Sequence, residues 1–100
     1  MRRANRRDLQ HKHIVADLLK LGFSVADTSM VGDDFPDLVV GRNGMDRLVE
    51  IKSGKKIHHQ SADLREGQED FRQKWKGSRV IVAFDVNDVV IAFNDNMRGR

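Results

Sequence analysis

Asp37, Glu50 and Lys52 are two carboxylates and an ammonium set in runs that otherwise suit buried strands. They fall in DFPDLVVGRNGMDRLVEIKSG, residues 34 to 54, where Asp37 opens one strand-like run and Glu50 and Lys52 interrupt the next. Side chains alternate along a strand, so Glu50 and Lys52 project from one face with Leu48, while Val49 and Ile51 point the other way. An unpaired buried charge costs on the order of several kcal/mol, so such groups persist where they are exposed, paired or ligated. Exposure on a solvated sheet edge is the ordinary explanation of an E-x-K pair. Asp37 favours another. Pro36 has no N–H and biases its predecessor towards extended structure, which suits the start or edge of a strand and sets Asp37 where that strand splays from its hairpin partner. Two carboxylates and an ammonium then converge beside a hard cation.

The surrounding pattern supplies a frame for them. Residues 8 to 21, DLQHKHIVADLLKL, put Ile14, Val15, Leu18, Leu19 and Leu21 at helical spacing, with Gly22 as a stop. FSVADTS, DLVVG and RLVEIK read as strands, and GRNG predicts a hairpin turn through Asn43 and Gly44. A second helix is predicted over 64–76, with Leu64, Gln68, Phe71 and Trp75 on one side and Gly77 closing it. RVIVAF is continuously apolar and reads as a strand buried on both faces. In DVNDVVIAF, Val86, Val89, Val90 and Phe93 match a helix behind an Asp85 cap, whereas the β-branched content suits a strand; we read a short helix. The order α-β-β-β-α-β describes an α/β domain, a mixed sheet flanked by helices.

Composition sets the limits. One hundred residues suit a single domain, here 1–100 with a basic arm over 1–7 and a tail over 94–100. Cysteine is absent, which excludes disulfides and thiolate metal sites and favours an intracellular, cytoplasmic setting. No apolar run is long enough to span a membrane, and no h-region follows the basic N-terminus. Lys and Arg number 18 against 15 Asp and Glu, with the excess in MRRANRR, in Lys52, Lys55 and Lys56, and in the closing RGR. Clustered cations suit polyanions through counterion release, although basic tails are also commonly just solvated.

At Pro36-Asp37, a twelve-residue spacer and Glu50-Ile51-Lys52, the chain resembles the PD-(D/E)xK nuclease superfamily. Within it the likeness is to small stand-alone VRR-NUC and Holliday-junction-resolvase-like proteins of phages, and it covers roughly residues 8 to 85. The resemblance implies a restriction-endonuclease-like core and a Mg²⁺-dependent deoxyribonuclease, with Mn²⁺ able to substitute, acting on duplex or branched DNA in the cytoplasm, a host's if phage-encoded. It implies that Asp37, Glu50 and the main-chain carbonyl of Ile51 hold the ion. Lys52 would orient or deprotonate the attacking water, or steady charge on the phosphate, leaving a 5′-phosphate and a 3′-hydroxyl. Gln68 falls where such nucleases often carry a glutamine that bonds the lysine or a DNA phosphate; a solvated helix position is its alternative.

One departure stands out: the family usually supplies a glutamate from the first helix, and no Glu precedes residue 50. Asp8 and His11, three apart, are candidates to replace it, with Gln10 a third; Asp8 as a helix cap and His11 as a surface residue are the alternatives. A catalytically weakened nuclease fold that serves as a DNA-binding module is therefore a second reading. Lys55, Lys56, His58, His59 and Arg65 leave the Glu50–Lys52 strand together and are expected to contact DNA, since adjacent histidines on a loop seldom chelate one ion. Phe71, Trp75 and RVIVAF present more apolar surface than so short a chain buries alone, and paired nicks need two sites, so a homodimer is expected.

Overall fold

The computed structural model describes residues 6–53 and 66–98. In chain order they form α1 (Arg6–Lys20), β1 (Ser24–Asp27), β2 (Leu38–Arg42), β3 (Met45–Ile51), α2 (Glu66–Lys74), β4 (Ile81–Ala83) and α3 (Val86–Arg98). The sheet runs β1-β2-β3-β4, antiparallel at its first two pairings and parallel between β3 and β4. This is a small α/β domain with a mixed four-stranded sheet.

The hairpin between β2 and β3 sets the register on which everything else depends. Asn43 and Gly44 both take positive φ, 55° and 78°, the combination that a two-residue type I′ turn requires. Arg42 therefore pairs with Met45, Val40 with Arg47, Val39 with Leu48 and Leu38 with Val49. Alternation then sorts the side chains. Leu38, Val40, Val49 and Ile51 enter the core with Ile81 and Ala83, against Ile14 and Leu18 of α1 and Val89 and Phe93 of α3. Asp37, Val39, Leu48, Glu50 and Lys52 belong to the opposite face.

Each helix end has a local cause. At Gly22, φ 91°, α1 closes in a Schellman motif: Gly22 N donates to Leu19 O at 3.1 Å and Phe23 N to Leu18 O at 3.0 Å. Phe23 is thereby turned into the core, edge-on to Phe93 with ring centroids 5.0 Å apart. At the start of α3, Asp85 Oδ1 accepts from Asp88 N at 3.2 Å, and Asp88 Oδ2 accepts from Phe84 N at 2.8 Å. The tail is thus a helix and not a strand, and residues 94–98, expected as a free tail, continue α3.

Several boundaries differ from expectation. α1 begins at Arg6, inside the expected basic arm. β1 is shorter than FSVADTS because Asp27 Oδ1 accepts from Ser29 N at 3.0 Å and bends the chain. α2 stops at Lys74, so Trp75 is not helical; it donates its N–H to Phe71 O at 3.0 Å as the last turn closes. Leu64 and Arg65 lie outside the described residues. RVIVAF shortens to a three-residue strand at the sheet edge among the described residues, with Ile81 and Ala83 buried but Val82 only half-buried. Its outer side has no neighbouring strand there to cover it. No described helix is long and apolar enough to cross a membrane.

Phe93 is 1% exposed and joins α3 to the α1 turn and the sheet. Phe93→Ala should cost about 3–5 kcal/mol of unfolding free energy, measured by urea denaturation, because it empties an aromatic volume that rigid neighbours cannot refill.

Candidate active site

The face of the sheet opposite the core carries the charged residues singled out by sequence. Asp37 stands immediately before β2, where its main chain and side chain serve different neighbours. Its carbonyl accepts from Thr28 N at 2.8 Å, which ties it to the segment leaving β1. Its Oδ2 accepts from Ile51 N at 2.8 Å. The carboxylate therefore takes over from the main-chain ladder at the end of the hairpin and abuts the peptide that joins Glu50 to Ile51. Pro36, buried behind it, has its carbonyl held by Thr28 Oγ1 at 2.8 Å.

Glu50 is 3% exposed, which rules out the solvated-edge explanation of the E-x-K pair. A buried carboxylate needs donors. Gln68 on α2 supplies one, its Nε2 donating to Glu50 Oε2, and is itself buried. Its alternative as a solvated helix position is overturned by that burial. Gly67 lets α2 come this close to the chain preceding β2, since a Cβ there would collide with the Asp34 carboxylate. Phe71, one turn on, stands edge-on to Phe35 at 5.6 Å and stacks on Trp75 at 5.3 Å. The Phe35–Phe71 contact ties α2 to the segment that leads into β2.

Lys52 follows the end of β3, half-buried, with its N–H donated to Ala83 O at 2.9 Å. Its carbonyl is held from α1: Gln10 Nε2 donates to Lys52 O at 3.2 Å and also to Phe84 O. One amide group thus ties together the ends of two parallel strands. Sequence reasoning weighed Gln10 only as an oxygen donor to a metal, and the structure turns its NH₂ towards two carbonyls instead. Nothing in the local sequence marks that role, because both acceptors are main-chain atoms distant along the chain.

His11 is not directed at the carboxylates. Its Nε2 lies 2.9 Å from Asp27 Oδ2. Burial pushes the Asp27 carboxyl up, but hydrogen bonds from Ser29 and His11 outweigh it and hold the group below its ordinary value. The suggestion that His11 replaces the first-helix acid is therefore corrected. The Asp8 side chain, and Lys55, Lys56, His58, His59 and Arg65, lie outside what is described. Among the described residues no group of three or more His, Cys, Asp and Glu comes together. The acidic donors that the sequence pattern singled out on this face are Asp37 and Glu50. Hard oxygen donors in this number suit Mg²⁺, which binds through one or two carboxylates and keeps several waters.

Comparisons of the chain with protein-family models, with curated proteins and with solved structures find no match.

Gln68→Ala should remove one donor from a buried charge and cost about 1.5–3 kcal/mol by urea denaturation. Gln73→Ala, on the exposed side of the same helix, should cost well under that.

Proposed function

We propose that the chain is a metal-dependent endonuclease that hydrolyses DNA phosphodiester bonds on a restriction-endonuclease-like core. The observation that supports this reading is the Asp37 carboxylate accepting from Ile51 N, at the peptide that joins Glu50 to Ile51 and one residue before Lys52. Asp37, Glu50 and the Ile51 carbonyl would hold Mg²⁺, or Mn²⁺ in its place. When bound, the ion supplies Lewis-acid polarisation of a phosphoryl oxygen and a more acidic water.

The chain's own residues do the rest. The Gln68 amide donates to Glu50 Oε2, so the orientation of that carboxyl is set before any ligand arrives. Asp37 is fixed by the Ile51 N–H in the same way. Lys52 follows on the Glu50 face, where its ammonium can oppose negative charge that grows on a phosphate during in-line attack. Gln10 restrains the Lys52 main chain and so limits how far that ammonium can wander. Lys55, Lys56, His58, His59 and Arg65 would add phosphate contacts that position a strand without reading its sequence. Paired cuts need two such sites, and Trp75, 43% exposed, offers apolar surface for a second copy; sedimentation at micromolar concentration should find a homodimer.

A second reading, a DNA-binding module with weakened catalysis, is favoured by one observation: Gln10 and His11 are both committed to other partners, so neither brings α1 to the carboxylates. Cleavage of plasmid and of a four-way junction in Mg²⁺ against EDTA separates the two. Asp37→Asn keeps an acceptor for Ile51 N, so it should leave the unfolding midpoint near wild type while cleavage falls about a hundredfold or more. Lys52→Ala should slow single-turnover cleavage to a similar degree, with calorimetric Mn²⁺ affinity retained. Wild-type rates in Asp37→Asn would sink the assignment, and binding without any metal-dependent product would favour the module.

A further inference from the structure

Arg47 is the most anomalous residue in the domain. It sits on β3 three residues before Glu50, about 10 Å along the strand, and on the opposite face. It is 5% exposed, and its Nη2 donates to Arg79 O at 2.5 Å. Its Nε and Nη1 are shut off from solvent and have no hydrogen-bond partner among the described residues. Buried donors of a charged group are normally satisfied, and leaving them bare costs more than for a neutral group. Burial, and then the neighbouring Arg79 cation, push the Arg47 guanidinium below its ordinary pKa, with no carboxylate acting against them.

Beside it opens a crevice of about 560 Å³ between β4 and α3, bounded by Arg47, Ser78 and Arg79 on one side and by Asp88, Ile91 and Asp95 on the other. Asp88 already accepts from Phe84 N, and neither aspartate offsets the Arg47 charge. We propose that this crevice is an anion site that takes a phosphate group between the Arg47 and Arg79 guanidiniums. Phosphate presents several acceptor oxygens to donors arriving from different directions, which two guanidiniums meet better than a single point charge would. The wall that must yield for a ligand to reach Arg47 is identifiable. Ser78 and Arg79 are exposed and belong to no helix or strand, whereas the remaining walls are β4 and α3. The crevice is larger than a phosphate ion, so an attached sugar or chain can be housed. The phosphate can come from a free small molecule or from the backbone of a nucleic acid strand, and the inference does not rest on the nuclease reading.

The test is calorimetric titration and thermal unfolding of the full chain without divalent metal, at ionic strength matched with NaCl. The probes are inorganic phosphate, a nucleoside 5′-monophosphate and a short single-stranded oligonucleotide. Phosphate should raise the wild-type midpoint in a dose-dependent way. Arg47→Met should be at least as stable as wild type in anion-free buffer, because it removes a bare buried charge, and should bind phosphate about tenfold or more weakly. Arg79→Ala should weaken binding similarly while keeping the main-chain carbonyl, and it decides the matter alone if Arg47→Met does not fold. Tighter binding of the oligonucleotide than of the two small probes assigns the source to a nucleic acid strand, and the reverse order assigns it to a free phosphate compound. No phosphate-dependent shift in the wild type, or undiminished binding in Arg79→Ala, overturns the proposal.

Discussion

A carboxylate held away from water is the constraint around which the second face of this domain is organised. Glu50 lies on a central strand with apolar neighbours before and after it, and a bare charge there would cost on the order of several kcal/mol. The hydrogen bond from Gln68 offsets part of that cost, but it exists only if α2 lies close against the sheet. Gly67 permits the approach, and the Phe35–Phe71 contact ties the helix to the segment that leads into β2. Asp37 answers a related need from the other side, giving the Ile51 N–H an acceptor at the point where β2 has not yet begun. The polar and apolar contacts of this face are therefore mutually dependent: the rings position α2, and α2 makes the buried charge tolerable.

Most of the fold was legible because its signals are local. Asn43-Gly44 specifies a primed turn, the turn specifies the register, and the register decides which residues face the core. Gly22 and Asp85 mark helix ends whose hydrogen bonds span only a few residues. The tail was ambiguous by composition, and the helical spacing of Val86, Val89, Val90 and Phe93 outweighed β-branching because that stripe could be buried against β4 and α1. RVIVAF was misjudged for a converse reason. A continuous apolar run resembles a central strand, yet an edge strand packed on one side by a helix can carry the same composition.

At the candidate site, alternation alone was enough to group Glu50 with Lys52, and Pro36 was enough to place Asp37 at a strand entrance. What could not be read was how each group is satisfied. Gln68 is buried and donates to Glu50, which its reading as a solvated position did not anticipate, and His11, one of three candidates for the first-helix ligand, turns to Asp27. Arg47 shares the face of Val49 and Ile51 by the same alternation, but that its guanidinium stays buried there could not be read from the strand alone. These are long-range facts, and single-residue chemistry does not encode them.

The separations along the chain of the bonds that build the site carry a consequence for how it comes into being. Asp37 and Ile51 are 14 residues apart, Glu50 and Gln68 are 18 apart, and Gln10 and Phe84 are 74 apart. Closing a loop costs more entropy as it lengthens, though only logarithmically, and non-local contacts are the slow ones to assemble. The Asp37 contact thus needs only the hairpin, and the Glu50 contact needs the hairpin and the helix after it. The Gln10 clamp requires the whole chain. Of its two bonds, the one to Lys52 O spans 42 residues and the one to Phe84 O spans 74, so the amide joins the first helix to the ends of both parallel strands.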